Sequence, residues 1–253
     1  MILPDETKQF LSEQFHISVT HNPEMAYPYT LSDYVDPAKR KEILDTQSSL
    51  LDNPPAIVVG SLFAKRFSVL VTAAMISVSL YDLKLPIVPS SIHFNIIRQA
   101  QFTYRINESD LKPLIYKRLS ERDRLVSSFL QDLIVQVEKI LDAVSTYTGC
   151  KTNIMWSLVW HQVLNYYLRI KTRYNNELSY DKVNVLLHDE KHLHESSLIP
   201  NQYKRLTRFK YLDNETFYLR NHCCLAFKLS TGHDYCETCP SLTESEREKL
   251  LKA

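Results

Sequence analysis

The stretch FSVLVTAAMISVSLY, residues 67–81, is the longest apolar run of the chain, and its burial decides the fold. Four of its 15 residues are serine or threonine. The run is also shorter than the roughly 20 residues that a helix needs to cross a bilayer. We therefore expect no membrane span. The sequence instead predicts a buried core helix over about Ser61 to Asp82, with the rest of the chain packed around it.

Three more helices are predicted around this core helix. Asp36-Pro37 is typical of an N-cap followed by a first-turn proline, and predicts a helix to about Leu51. The segment SERD, residues 120–123, resembles a capping box and predicts a long helix that ends near Gly149, followed by another over Lys151 to Asn175. Apolar residues at spacings of three and four predict one buried face on each: Val126, Phe129, Leu133, Val137, Ile140 and Val144, then Trp156, Trp160, Val163, Tyr167 and Ile170.

Extended structure is expected between the core helix and these later helices. Pro86 and Pro89 interrupt helical periodicity, and the alternation that follows predicts an antiparallel hairpin near residues 86–106. From Pro200 onward the chain changes to short basic, aromatic and cysteine-containing segments. The sequence therefore predicts a mainly helical α+β fold, with long core helices, a small antiparallel sheet and a C-terminal cysteine hairpin module. The predicted body covers residues 1–199 and the module residues 200–253.

Composition excludes several classes of function. The 253 residues include 30 Lys and Arg against 29 Asp and Glu, so the net charge of +1 supplies no field that would attract nucleic acid. The chain has only three glycines, Gly60, Gly149 and Gly232, which excludes Gly-rich phosphate-binding loops. Residues 1–15 lack the layout of a signal peptide. We therefore expect a cytoplasmic protein.

Cysteine clustering is the strongest functional signal. Cys223, Cys224, Cys236 and Cys239 fall within 17 residues, whereas Cys150 lies far upstream. Because a reducing compartment disfavours structural disulfides, four clustered thiols indicate zinc or an iron–sulfur cluster. A vicinal disulfide and unliganded thiols are the alternatives. Cys150 is expected to be a thiol at a helix boundary or in the core.

The spacing of the four cysteines bears on which metal they hold. Zinc ribbons normally offer two Cys-x-x-Cys knuckles, but here only Cys236 to Cys239 has that form, and Cys223-Cys224 are adjacent. Adjacent side chains of extended backbone point to opposite faces, so the backbone must turn there for both to reach one centre. A 2Fe–2S cluster has two irons and accommodates two dissimilar ligand pairs. The turn residues 230–232 predict a hairpin that folds the pairs together.

The segments RNHCCLAFKL, residues 220–229, and YCETCP, residues 235–240, resemble the signature of the FhuF-type ferric-siderophore reductases. That family ends in Cys-Cys, about ten residues and Cys-x-x-Cys, preceded by an arginine. The resemblance implies that Cys223, Cys224, Cys236 and Cys239 hold a 2Fe–2S cluster. It covers about 20 residues, and the spacing here is 11 rather than ten, which lengthens the connection between the pairs.

The resemblance also implies an activity. The cluster would pass one electron to a ferric siderophore of the hydroxamate or citrate-hydroxamate type, and release Fe(II) in the cytoplasm. Hard oxygen donors bind Fe(II) more weakly than Fe(III), so reduction alone frees the iron. No general base or nucleophile is needed, and no catalytic residue is expected beyond the cluster ligands. The expected partners are the ferric siderophore and an electron-donor protein such as a ferredoxin or flavodoxin.

A local excess of basic residues, interleaved with aromatic ones, surrounds the first cysteine pair. These side chains are candidates for binding an anionic siderophore or an acidic electron donor. Hydrogen bonds to the cysteine sulfurs are expected from backbone amides or from Tyr235, Thr238 or Thr231. The candidate binding residues are Lys204, Arg205, Arg208, Lys210, Arg220 and Lys228.

Other interpretations remain open at this point. The same thiols could hold zinc in a non-enzymatic protein that binds a partner, or the cluster could serve an electron carrier or sensor. His222 adjoins the cysteines and could replace one thiolate, as in Rieske centres, or support the site from outside the ligand set. His188 and His192 lie at helical i and i+4, but their segment is strongly polar and predicts a solvated helix.

Overall fold

The computed structural model describes residues 3–20, 27–173, 179–211, 215–230, 232 and 234–252. Helices dominate it, and the prediction of a mainly helical α+β fold is confirmed. In chain order the elements are α1 (Asp5–Phe15), β1 (Ile17–Thr20), β2 (Tyr29–Thr30), α2 (Pro37–Ser49), α3 (Ala56–Tyr81), β3 (Leu83–Lys84), β4 (Ile92–Ile96), β5 (Phe102–Asn107), β6 (Lys112–Pro113), α4 (Leu119–Thr148), α5 (Thr152–Arg173), α6 (Tyr180–Glu195), α7 (Asn201–Lys204), β7 (Arg208–Tyr211), β8 (Glu215–Tyr218) and α8 (Glu244–Lys252).

The apolar helix α3 forms the centre of the molecule. It begins directly after Pro55, earlier than predicted, and ends where Asp82 adopts a left-handed conformation. By length and composition α3 could cross a bilayer, but twenty of its 26 residues are buried inside the protein. At Gly60 the junction of α4 and α5 comes so close that an added Cβ would lie 2.3 Å from Thr148 Oγ1 and 2.7 Å from Cys150 Cβ.

The long helices α4 and α5 pack on α3 through the faces that the sequence predicts. All eleven apolar residues named for those faces are buried. The predicted capping box is wrong, because α4 begins at Leu119 with Arg118 rather than Ser120 as its cap residue, and Arg118 makes no side-chain capping bond. The Glu121 carboxylate instead accepts a hydrogen bond from the backbone N–H of Lys117 at 2.9 Å. The described part of α5 ends at Arg173, so the predicted end at Asn175 lies outside the described residues.

A four-stranded sheet covers one side of the helices, in the order β1-β5-β4-β2. The antiparallel hairpin predicted near residues 86–106 is present as β4 and β5, with Ile92 opposite Ile106. The sheet is mixed, however, since β1 runs parallel to β5. Two-stranded antiparallel ribbons join β3 to β6 and β7 to β8.

A buried ion pair fixes α6 against the core. Arg122 of α4 donates to both carboxylate oxygens of Asp189, at 2.7 and 3.0 Å, and to Asp82 at 2.9 Å. Ser79 of α3 donates to Asp189 at 2.6 Å. The prediction of a solvated helix therefore fails for this face of α6, where Asp189 and Glu190 are buried. No sequence pattern could reveal this, because the partners of Asp189 lie 67 and 110 residues away.

The C-terminal segments rest on α3 and α5. Two side chains of α5 bond the backbone of Tyr218. His161 Nε2 lies 2.8 Å from the Tyr218 carbonyl oxygen, and the Tyr218 N–H donates to Asn165 Oδ1 at 2.9 Å. Cys224 and Ala226 belong to the same buried apolar core as the helices. The division between residues 199 and 200 into body and module stays a prediction.

Candidate metal centre

The fold brings the four clustered cysteines together. The sulfurs of Cys239 and Cys223 lie 3.6 Å apart. The side chain of Cys224 interacts electrostatically with both Cys223 and Cys236. These interactions link the two sequence pairs into one site.

Local backbone turns place the sulfurs. Leu225 follows the first pair with a φ of 59°, in the left-handed region, and its N–H donates to Cys223 Sγ at 3.3 Å. The backbone therefore turns beside the adjacent pair, as two adjacent ligands require. The Leu225 N–H is also a backbone amide donor to a cysteine sulfur, of the kind that was predicted. In the second pair, Cys239 N–H donates to the Cys236 carbonyl at 2.8 Å and closes a tight turn.

The connection between the pairs differs from the predicted hairpin. Its described residues form a short 3-10 helix, Ala226–Lys228, and turns, and none of them is in a strand. The pairs meet instead through a bond from the segment before the first pair to the middle of the second pair, from Arg220 N–H to the Thr238 carbonyl at 3.0 Å. Thr231 lies outside the described residues.

Two side chains from other elements anchor the cysteine loops. Ser61 of α3 donates its hydroxyl to the Cys224 carbonyl at 2.7 Å. Arg247 of α8, only 2% exposed, donates to the carbonyls of Glu237, of Cys239 at 2.9 Å and of Leu242 at 3.2 Å. The sequence did not single out Arg247, because it stands in the charged run ESEREKLLK and nothing there distinguishes it from a surface residue.

Arg220 lies inside the site and not on its surface. It is 4% exposed, and its Nη2 donates to Cys236 Sγ. Its Nε and Nη1 are buried without a hydrogen-bond partner among the described residues. Buried donors are normally satisfied, so these two N–H groups indicate room for further acceptors beside the thiols. The inorganic sulfides of an iron–sulfur cluster would be such acceptors.

The electrostatics of the site centre on Cys224. Hydrogen bonds from Cys223 and Cys236 lower the pKa of Cys224 strongly, and the charges of Arg220 and Lys65 lower it further, against the effect of burial. The same bonds to Cys224, together with burial, raise the pKa of Cys223 and of Cys236. Metal ligation requires deprotonated thiols, and the nearby cations favour that state.

Four thiols in one site are a donor set of the kind that zinc and iron–sulfur clusters use. Two thiolates on one tetrahedral metal, with bonds of about 2.3 Å, lie about 3.8 Å apart, close to the 3.6 Å between Cys223 and Cys239. The side chain of Cys224 interacts with both Cys236 and Cys223. Within the described ranges, no group of three or more His, Cys, Asp or Glu side chains is placed so that it could hold a metal ion.

Cys150 is separate from the centre. It is fully buried between α4 and α5, and burial raises its pKa to about 11. Its backbone N–H donates to Thr148 Oγ1 at 3.3 Å. The prediction of a boundary or core thiol is confirmed.

The fold scatters the other predicted basic residues. Arg208 and Lys210 are exposed on β7 and flank the buried Phe209. Arg208 also donates to the Tyr218 hydroxyl at 3.2 Å. Lys204 donates to the Ser196 carbonyl at 2.8 Å. Arg205 and Lys228 are exposed.

The remaining candidates make other contacts. The ring of Tyr235 packs against Phe227 with centroids 4.8 Å apart, and Thr238 offers its backbone carbonyl to Arg220. His222 has a buried Nδ1 without a hydrogen-bond partner in the described part of the chain. His188 and His192 bond separate partners, Asp123 and Ser127, each at 2.8 Å.

Comparison with known proteins adds no identity to this geometry. No family model matches the chain, and no curated protein matches it significantly. The resemblance to the FhuF-type reductases therefore rests on the residues of the cysteine segment and stays a prediction.

Proposed function

We propose that this protein is a ferric-siderophore reductase whose four clustered cysteines hold a 2Fe–2S cluster. The observation that carries the proposal is the meeting of two dissimilar cysteine pairs beside a buried arginine with two unsatisfied N–H groups. The ligands are Cys223, Cys224, Cys236 and Cys239. The proposed substrate is a ferric hydroxamate or citrate-hydroxamate, reduced in the cytoplasm.

Chain residues shape the site for this chemistry. When bound, a 2Fe–2S cluster supplies one electron at low potential. Arg220 offers buried N–H groups beside the sulfurs, and such bonds favour the more negatively charged, reduced state. Ser61 and Arg247 hold the backbone of the two cysteine loops in place. The sulfur ligands thereby keep their positions while charge is gained and lost.

Each turnover moves a single electron. The donor protein is oxidised, Fe(III) becomes Fe(II), and no bond within the siderophore breaks. The oxygen donors then hold the iron less tightly and release it. A ferredoxin or flavodoxin is the proposed donor, and the exposed cations Arg208 and Lys210 provide a surface that attracts such acidic proteins.

The first test is an anaerobic preparation of the full chain. Its visible spectrum, its iron and acid-labile sulfide contents and its electron paramagnetic resonance spectrum after dithionite reduction identify the metal centre. We expect about two irons and two sulfides per chain, and a signal that appears only on reduction. Colourless protein with one zinc, or no metal after reconstitution, would leave a structural or partner-binding protein and refute the proposal.

The second test is electron transfer to substrate. Reduced protein is mixed with ferric hydroxamate or ferric citrate-hydroxamate, and Fe(II) is trapped with a chromogenic chelator. We expect one Fe(II) per cluster in a single turnover. Rapid electron transfer to another protein, with no transfer to any ferric siderophore, would identify an electron carrier or sensor instead.

A further inference from the structure

A cavity of about 450 Å³ opens beside the cysteine centre, between α3, the β4–β5 hairpin and the short 3-10 helix that follows Cys224. Its volume falls in the range of small-ligand sites. Ala226 lines it, two residues beyond the ligand Cys224. Lys65 lines it as well, four residues along α3 from Ser61, whose hydroxyl holds the Cys224 carbonyl. The cavity therefore adjoins the proposed cluster.

The cavity is positively charged. Its described lining includes Lys65 and Arg66 but no Asp or Glu. Neither cation forms an ion pair with a described carboxylate. The side chains of Gln99, Gln101 and Gln162 supply neutral donors and acceptors around them. This combination favours a ligand that carries negative oxygen atoms.

One N–H donor group of Arg66 has no acceptor among the described residues. Its Nη2 donates to the Gln99 carbonyl at 2.5 Å, whereas its Nη1 is buried and has no hydrogen-bond partner in the described part of the chain. Burial lowers the pKa of Arg66 to about 10, against the opposite effect of Cys224, so the guanidinium stays charged at neutral pH, and no described carboxylate lines its cavity. A buried, charged donor without a partner indicates a missing acceptor.

The backbone on the opposite wall is strained. Gln99 and Ala100 have φ values of 58° and 53°, although neither is a glycine or an asparagine. The turn presents the Gln99 carbonyl to Arg66 and places Gln99 and Gln101 in the cavity wall. Strain of this kind persists where the surroundings enforce it, and it is concentrated at binding sites.

We propose that this cavity binds the carboxylate-bearing side of an anionic ferric chelate, with Lys65 and Arg66 as its anion ligands. The proposal rests on the function proposed above and assigns the substrate site and the preferred substrate class. A carboxylate meets Arg66 through its unsatisfied Nη1 and Lys65 as a point charge. The bound Fe(III) then lies next to the loop that carries Cys224, since Ala226 of that loop lines the cavity.

Gallium tests binding without electron transfer, because Ga(III) has the charge and coordination of Fe(III) but is not reduced by such centres. The Ga(III) complex of a citrate-hydroxamate siderophore is titrated calorimetrically into the full-length protein as purified. The double variant Lys65→Met/Arg66→Met should bind about 100-fold more weakly than the wild type, since it loses two charge-assisted contacts. A neutral Ga(III) trihydroxamate should bind weakly to both proteins.

The matched control is Lys139→Met/Arg124→Met, which removes one lysine and one arginine from the exposed surface of α4. It should bind the anionic complex within about twofold of the wild type. Equal affinity of the cavity variant and the wild type for the anionic complex would overturn the site assignment. This holds even if the variant shifts the reduction potential of the cluster, because Lys65 and Arg66 would then only balance the charge of the cluster. Absence of a cluster would refute the reductase function alone, because gallium binding needs no electron.

Discussion

The helical body and the cysteine segment are held together by different forces. In the body, α3, α4 and α5 bury long apolar faces against one another, which is the main source of stability in globular proteins. The cysteine segment, residues 219–243, contains no strand or α-helix within its described residues. Polar contacts from Ser61 and Arg247 hold its backbone in place, and Arg220 within the segment donates to the Cys236 sulfur.

This difference suits a redox centre. Long helices provide a rigid support, and irregular loops provide the close, non-repeating positions that four sulfurs require. Loops alone fold weakly because they bury little apolar surface, so we expect the cysteine segment to depend on its anchors and on the proposed metal centre. The body is expected to survive loss of the metal, while the cysteine segment is expected to loosen.

The largest expected effect separates ligand from non-ligand cysteines. Cys223→Ser should abolish cluster binding, because a binuclear centre with three thiolates and one alcohol loses its soft ligand set. Cys150→Ser, the control in the body, should retain about two irons and two sulfides per chain. Iron and sulfide assays on anaerobically purified protein compare the metal content of the two variants. Equal loss of metal in both variants would break the ligand assignment.

The next largest effect concerns the buried ion pair of the body. Arg122→Met leaves Asp189 charged and buried without its partner, and should lower the free energy of unfolding by about 3–5 kcal/mol. Urea denaturation measures the change. Arg122→Met/Asp189→Leu should recover most of the loss, since an apolar pair leaves no buried charge. A double variant no more stable than the single variant would show that the cost is steric.

A third prediction probes the packing at Gly60. Gly60→Ala should destabilise the protein by about 1–3 kcal/mol, because the new methyl group meets Thr148 and Cys150. The midpoint of urea unfolding reports this loss. Gly232→Ala, where no atom lies within 4 Å, is the control in the cysteine segment. Its cost should be about 1–2 kcal/mol, from the positive φ alone. An unchanged midpoint for Gly60→Ala would mean that the helices separate easily.

The smallest effect lies where α5 meets the end of β8, directly before the cysteine segment. Burial lowers the pKa of His161 to about 3, outweighing its hydrogen bond to Tyr218, while Arg220, Arg169 and Lys65 lower it further. In the unfolded chain the pKa of a histidine is about 6.5, so between about pH 3 and pH 6.5 the unfolded chain binds more protons than the folded one. Stability from this group is therefore complete above pH 6.5 and declines as the pH falls towards 3.

Wild-type protein should thus lose about 2 kcal/mol of unfolding free energy between pH 7 and pH 5 through this histidine. His161→Gln keeps a donor for the Tyr218 carbonyl but does not titrate. The unfolding free energy that this variant loses between pH 7 and pH 5 should therefore be smaller than that of the wild type by about 2 kcal/mol. Urea unfolding at several pH values gives both curves. Parallel curves for the two proteins would place the titrating group elsewhere.

Sequence patterns predicted the two regions unequally. Long helices repeat their apolar residues over many turns, so the buried faces of α4 and α5 were correct residue by residue. The cysteine segment lacks such a period, and its hairpin was predicted where the described residues form a 3-10 helix and turns. Arg220 shows why the prediction was weaker here. Its place in the motif was recognised from the sequence, but its contact with Cys236 joins residues that are 16 positions apart.

The sequence by itself determined the helical class of the fold, the burial of α3 and the four candidate ligands, because these follow from composition, periodicity and local spacing. Only the tertiary structure decided which sulfurs are neighbours, and that Ser61, Arg220 and Arg247 anchor their loops. The tertiary structure also formed the cationic cavity from α3, the strained turn and the residues after Cys224. These contacts join residues up to 163 positions apart, a separation that no local pattern encodes.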